Sequence, residues 1–417
     1  MVCDCPVLRF QTNACVVMAN VVTTEAPAFA VSSHGDMKTR VDFVVGVATR
    51  HAEEVDRLAR FPLEAIEAAR KEKLLSVLVP AALGGDGGSV SDVVDICYAI
   101  GRACAATAMI FAMHQIMVAI IVRHAAASRW HEDMLRRLAR EQLLLASSTT
   151  EGTGGGDLRA SSCAVEVVGD RMCLEKKATV ISYGAEADAI LTTARRSPQS
   201  APSDQVLVAL LREDYQLGRL SDWDALGMRG TCSAGFLLKG WGRPEQVLPA
   251  AYQEIHTRSM LPIAHLTWSG VWSGVAAGAV ERARAFMRNA RRGGSTLPPG
   301  AAHLTRAYAS LQTLRALVAS GLSRYEAVAQ KPDEIDSLAF QTTMNILKVN
   351  ASEIALATVM STLQACGLAG YRNDGEFSIS RSLRDILSAS IMINNDRILA
   401  NAAGAPLLVD VPVALSN

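Results

Sequence analysis

Half of the 417 residues are apolar, and 41 Lys and Arg balance 41 Asp and Glu for a formal net charge of zero. That balance leaves no electrostatic footprint for nucleic acid or an anionic membrane, while the apolar half supports a large core divided into two or three parts. Nine cysteines, an odd number without a CxxC pair, argue for a reduced, cytoplasmic setting rather than a disulfide framework; the histidines and cysteines lack metal-site spacing, and no apolar run is expected to reach the length of a membrane span.

Residues 1–37 show no sustained periodicity and read as a flexible tail. Arg9, the apolar run 14–22 and the small residues 26–30 imitate a secretion signal, but the run is short and contains Asn20. From Val41 onward, Val44, Val45, Val47, Ala48, Ala52, Val55 and Leu58 recur at helical spacing. Phe61-Pro62 interrupts this pattern, and 63–75 reads as a second helix. A short apolar run over 77–85 ends in Gly84-Gly85. Helices over 90–105 and 108–127, then a charged amphipathic stretch over 129–141, complete an N-terminal helical domain assigned to 38–143.

The character changes over 144–250. Strand patterns at 163–168 and 172–175 flank Gly169-Asp170, a hairpin turn, and 189–194, 205–211 and 235–239 read as further strands. Helical periodicity returns over 261–291, 301–329, 335–365 and 379–402. Pro298-Pro299 and Lys331-Pro332-Asp333 break it, with Asp333 the expected N-cap of the third helix. Four long helices suit an up-and-down bundle over 251–417.

Three strings could carry chemistry. Ser147-Ser148-Thr149-Thr150-Glu151-Gly152-Thr153-Gly154-Gly155-Gly156-Asp157 offers hydroxyls and unhindered backbone N–H groups, although such clusters ordinarily mark loops and this one lacks the strand–GxGxxG–helix setting of a Rossmann unit. The second is Val180-Ile181-Ser182-Tyr183-Gly184, and the third is Leu226-Gly227-Met228-Arg229-Gly230-Thr231-Cys232-Ser233. Each taken singly is as well explained by a loop or strand end.

In this order, with helices on both sides, the strings resemble the acyl-CoA dehydrogenase superfamily of flavoproteins. The family's Thr-Glu-Pro-x-Ala-Gly-Ser-Asp is similar to residues 150–157, its Trp-Ile-Thr-Asn-Gly to 180–184, and its Leu-Gly-x-Arg-x-Ser/Thr-x-Thr to 226–233. Gln364-Ala365-Cys366-Gly367-Leu368-Ala369-Gly370-Tyr371 resembles Gln-x-x-Gly-Gly-x-Gly-Tyr, and Arg381-Ser382-Leu383-Arg384-Asp385 resembles Arg-x-x-Arg-Asp. The resemblance covers about 41–399. It implies an α+β multidomain fold: an N-terminal helical domain, a central β-barrel-like domain and a C-terminal four-helix bundle, assembled as a homodimer or homotetramer.

It also implies FAD or FMN as cofactor. Ser148, Thr149, Thr150, Gly155, Gly156, Ile181 and Ser182 would bind it, Ser182 beside the ring's redox nitrogen, with Gln364 and Gly367 reaching its adenosine-diphosphate part across a subunit boundary. Arg258 matches the family's arginine at the first bundle helix and is a substrate-binding candidate. The family's catalytic glutamate falls at Ile393, which cannot remove a proton. Glu254 and Asp396 are the substitute bases if the chain dehydrogenates an acyl thioester carried on coenzyme A or a carrier protein. His114 is the candidate if it is instead a reduced-flavin monooxygenase served by a reductase, and a non-catalytic flavoprotein is the third alternative.

Overall fold

The computed structural model describes residues 34–125, 127–151, 160–292 and 298–408. The leader discussed above, apart from its last residues, lies outside them, as do Gly155 and Gly156. Helix α1 (His34–Leu58) begins inside the stretch assigned to the tail. It is followed by α2 (Leu63–Lys71), which ends short of 75 because Lys73 turns left-handed before a 3-10 turn at Leu74–Ser76. Helix α3 (Val90–Ala103) starts at a reciprocal cap: the Ser89 hydroxyl accepts from Asp92 N and the Asp92 carboxylate accepts from Ser89 N.

Extended Cys104 separates α3 from α4 (Ala105–His124), and α5 (Arg129–Glu141) closes the helical part. Helix α4 corrects the expectation about apolar runs. At 20 residues and a mean hydropathy of 2.0 it is long enough to cross a membrane, but 89% of that window is buried inside the fold. It is a core helix, apolar on every side because neighbours surround it.

The middle of the chain forms two sheets. Strands β1 (Leu145–Ser148), β4 (Ala189–Arg195) and β5 (Gln205–Leu211) make one, in the order β1-β4-β5, with β1 parallel to β4. Strands β2 (Glu166–Val168), β3 (Arg171–Ala178), β6 (Tyr215–Ser221) and β7 (Gly235–Gly242) make the other, antiparallel in the order β2-β3-β7-β6. The expected hairpin forms at Gly169, whose φ is +64°. On β3, residues alternate strictly between exposed and buried, so Met172, Leu174, Lys176 and Ala178 face inward.

After a short α6 (Tyr252–Ile255) and a π-helical turn at His256–Met260 come the bundle helices α7 (Leu261–Arg292), α8 (Ala301–Val328) and, past α9 (Pro332–Ile335), α10 (Leu338–Cys366). Ser337, not Asp333, caps α10, its hydroxyl accepting from Phe340 N. Gly270, Gly274 and Gly278 let α7 approach α3 closely: a Cβ on Gly274 would collide with Tyr98 O and one on Gly278 with Arg102 O. The expected fourth long helix is broken. After α11 (Leu368–Tyr371), α12 (Ser380–Ile386) runs into a 3-10 turn and residues 391–394 before α13 (Asn395–Ala402).

Candidate active site

Strand β1 delivers Ser147–Glu151 to the gap between the sheets and the helices. Lys176, fully buried, anchors its end: Nζ donates to Ser148 O at 3.0 Å, Thr193 O at 2.8 Å and Thr193 Oγ1 at 2.7 Å, and lies 3.4 Å from Glu151 Oε1. Burial lowers the Lys176 pKa, opposed by the Glu151 charge. Burial pushes Glu151 up, but hydrogen bonds from Ser161 and Ser162 and the Lys176 charge outweigh it and hold the carboxylate below its usual range. With the backbone of 148–151 fixed in this way, Ser148 Oγ and Thr150 Oγ1 are buried without a partner among the described residues. Two such orphans on one short segment are rare in a finished core and mark a place for a ligand with a polar edge.

The second string runs alongside. Glu151 bridges Ala178, Ile181 N donates to Ala234 O at 2.9 Å, and the Tyr183 hydroxyl donates to Leu145 O at 2.9 Å. Tyr183 adopts φ +44°, and Tyr183 N donates to Thr231 O at 2.8 Å. Ile181 is wholly buried with its N–H committed, so it supports the site from behind. Half-buried Ser182 stands at the front, its Oγ 2.8 Å from Ser233 Oγ. Ser233 Oγ is in turn 2.8 Å from Thr231 Oγ1, which donates to Met228 O at 2.9 Å.

The third string is locked in place. Met228 and Cys232 are left-handed, at φ +53° and +47°. Met228 N donates to Asp385 at 2.7 Å, and Arg229 donates to Asp56 O and Ala225 O, a structural role. Burial raises the Asp385 carboxyl to about 6. Arg384 pairs with Asp56, so α12, α1 and this turn form one unit.

His114 does not reach this gap with a free nitrogen. Fully buried on α4, its Nδ1 accepts from Leu145 N at 3.0 Å and its Nε2 donates to Leu75 O at 2.7 Å. Burial lowers its pKa to about 4, so the ring is neutral with both nitrogens committed. Glu254 and Arg258 pair with each other at 2.7 Å, and Arg258 also holds Asp336 at 2.8 Å. Asp396 is exposed in the first turn of α13, where Asn394 Oδ1 caps its N–H. Among the described residues, no hydrogen bond or ion pair joins any of these three to Ser148 or Ser182.

Ile393, where the resemblance leads one to expect the family's glutamate, is left-handed at φ +45°, which is costly for a β-branched residue. Its carbonyl accepts from buried Lys348 Nζ at 3.3 Å, and the same ammonium donates to Asn395 Oδ1 at 2.7 Å. Burial lowers Lys348 to about 8. Gln364 and Gly367 lie exposed at the C-terminal end of α10, beside exposed Leu368 and Tyr371. Lys176 and Lys348 were not anticipated here, and Thr231 and Ser233 were expected only as members of the third string, without roles of their own; only the inward position of Lys176 in the β3 alternation signals either lysine.

The sequence pattern of the acyl-CoA dehydrogenase N-terminal domain matches residues 37–142, and that of the acyl-CoA dehydrogenase C-terminal domain matches 257–405. A cyclohex-1-ene-1-carbonyl-CoA dehydrogenase from Geobacter metallireducens is 26% identical over 387 residues, covering 89% of this chain and 98% of that protein. The amino sugar nitrososynthase DnmZ of Streptomyces peucetius is 25% identical over 357 residues, covering 81% and 84%. Among solved structures, FMN-bound TdsC from Paenibacillus sp. A11-2 superposes with a TM-score of 0.79 at 19% identity, covering 91% of this chain and 98% of that one.

Proposed function

Because the chain belongs to the acyl-CoA dehydrogenase superfamily, and is a flavin-dependent oxidoreductase of that kind, we propose that it works as an oxygenase: it takes FAD or FMN already reduced, molecular oxygen and a small organic substrate, and places one oxygen atom on nitrogen, sulfur or carbon. What supports this reading is that none of the three residues expected near a catalytic base's place is suited to the task. Ile393 has no acid–base group, Asp396 is exposed in the first turn of α13, and Glu254 is tied to Arg258. Removal of an α-proton from an acyl thioester needs a carboxylate within hydrogen-bond reach of the substrate, whereas oxygen transfer from a reduced flavin does not.

The flavin fits two hydroxyls left without a partner among the described residues, Ser148 Oγ and Thr150 Oγ1. Ser148 Oγ, Thr149, Thr150 Oγ1 and Ser182 Oγ would meet the polar edge of its ring, with Lys176 and Tyr183 holding their backbone. When bound in reduced form, the flavin supplies the two electrons that divide molecular oxygen between substrate and water. The exposed turn at Gln364, Gly367, Leu368 and Tyr371 supports a second copy of the chain as the flavin's other contact, in a homodimer or homotetramer, and a separate reductase would supply the electrons.

A second reading, dehydrogenation of an acyl thioester, is favoured by the 26% identity to a dehydrogenase across nearly that protein's whole length. One experiment separates the two. The flavin-loaded protein is given a reductase, a nicotinamide donor and ¹⁸O₂ with amine, sulfide and aromatic panels, and separately acyl thioesters under anaerobic conditions. Labelled product supports the oxygenase. Loss of the oxidised-flavin absorbance on adding an acyl thioester, with no labelled product, overturns it.

A further inference from the structure

Among the described residues two lysines are buried, and only one of them meets an opposite charge. Lys176 lies 3.4 Å from the Glu151 carboxylate. Lys348, wholly buried on α10, has neutral partners alone. Its ammonium donates to Asn395 Oδ1 at 2.7 Å and to Ile393 O at 3.3 Å, and it stands 5.6 Å from the centre of the Trp272 ring. A buried cation is costly until an anion compensates it. Burial is the one cause that lowers Lys348 to about 8.

No neighbouring charge offsets the ammonium. His265 on α7 feels it, but burial keeps that ring neutral, with its pKa lowered to about 3. Residues 387–394 carry no charged side chain. Asp396 on α13, Glu353 on α10 and the arginines of α8 are exposed, and half-buried Arg397 adds only positive charge. On α12, Arg384 is paired with Asp56, and Asp385 holds Met228 N. The other groups beside Lys348 are donors. Trp272 Nε1, on a residue 2% exposed, has no partner among the described residues, and neither has Trp268 Nε1 one turn earlier on α7. An indole nitrogen only donates.

We propose that Lys348, with the indole N–H of Trp272, binds the carboxylate of a small organic acid. One ammonium balances one charge, so the head group is a carboxylate rather than a doubly charged phosphate. The bond it replaces is the one to Ile393 O, the longer of the two and made by a residue held left-handed against its preference. That this acid is the substrate rests on the oxygenase reading, which puts the turn at Ile393 beside the flavin. The binding of the acid does not.

The test is isothermal titration of the full chain with benzoate, acetate, benzamide and inorganic phosphate between about pH 6.5 and 9.5. Only the charged form of Lys348 attracts a carboxylate. Its lowered pKa leaves it charged below about 8 and neutral above, so the benzoate dissociation constant is expected to be level at low pH and to rise about tenfold per unit beyond 8. Benzamide, of the same shape without the charge, binds about tenfold more weakly or worse. Lys348→Arg, charged throughout, keeps benzoate binding and loses the pH step. Lys348→Met loses binding about tenfold or more, and Trp272→Phe, which keeps a ring without the N–H, weakens it about threefold.

Absence of benzoate and acetate binding at neutral pH overturns the proposal. So does phosphate binding more tightly than benzoate, or a pH step that survives in Lys348→Arg at the wild-type melting temperature. If Lys348→Met does not fold, the Lys348→Arg profile decides. If the acids bind with the expected pH step but give no labelled product with ¹⁸O₂, the oxygenase reading alone falls and the carboxylate site stands.

Discussion

Replacing His114 separates a structural histidine from a catalytic one. In His114→Ala, Leu145 N–H loses its acceptor in a fully buried position, while Leu75 O retains Gln115 Nε2 at 3.3 Å. One orphaned buried donor costs roughly 1–3 kcal/mol, and the cavity left by the imidazole adds on the order of 1–2 kcal/mol, for a total of about 3–4 kcal/mol. His114→Gln, whose Oε1 can still accept from Leu145 N, is expected to cost less than half of that. Urea midpoints at pH 7.5 measure both. Activity under conditions where each variant is fully folded is expected to fall less than about tenfold in His114→Gln, with an unchanged pH–rate profile, because no proton moves through this ring. A general acid or base contributes roughly 10²–10⁴-fold. Loss of activity in that range at an unchanged urea midpoint would refute the structural role.

Buried His114, His124, His131 and His265 have pKa values lowered by burial to about 4, 4, 4 and 3. A lowered histidine pKa means that the unfolded chain binds more protons between that value and about 6.5, so stability is complete above that window and drains away as pH falls through it. Asp385, raised to about 6, opposes them, as do Glu186 and Asp214, both raised by burial; for the four histidines and Asp385 the net slope near pH 5.5 is roughly 4 kcal/mol per pH unit. Acid titration followed by circular dichroism should show unfolding well above pH 4, and a native spectrum at pH 4 would contradict the burial of these rings. Gly227→Ala would put a Cβ onto Arg384 O, with Asp385 N 2.7 Å away. Hydrogen exchange should show α12 undocked from the Met228 turn, at a cost of roughly 4 kcal/mol or more, and unaltered protection of both segments would refute the close approach.

The elements written in strong local patterns are the ones that could be read from the chain. Helix α5 spans Arg129–Glu141 as expected, because its charged and apolar faces alternate cleanly and nothing around it needs to override them. The hairpin at Gly169 follows from a residue that accepts φ +64° without strain. Strands β1 and β6 escaped notice for opposite reasons. Four-residue β1 is too short for a period, and β6 is exposed on nearly every residue, so only pairing with β4 and β7 makes them strands. The break between α12 and α13 carries no glycine or proline. It coincides with Lys348, whose ammonium reaches Ile393 O and Asn395 Oδ1 from another helix and rewards a left-handed turn that the local sequence disfavours.

The site divides along the same line. The three strings announce themselves because glycines and hydroxyl residues cluster in them, and the fold does bring 148–151, 181–183 and 228–233 together. The titratable residues that looked most chemical serve elsewhere. His114 ties α4 to the start of β1, Glu254 and Arg258 pair along one helical turn, and Asp396 sits in the first turn of α13. A histidine or carboxylate is recognisable by type, but whether its proton is free depends on partners tens of residues away, which no spacing rule contains. Ser182 and Ser233 are 51 positions apart, and they are joined through Thr231 to Met228 O, a backbone atom common to every residue type. What distinguishes this site is therefore the network of partners around its side chains rather than their identity alone, and on the proposed oxygenase reading that network positions the cofactor while the cofactor carries the chemistry.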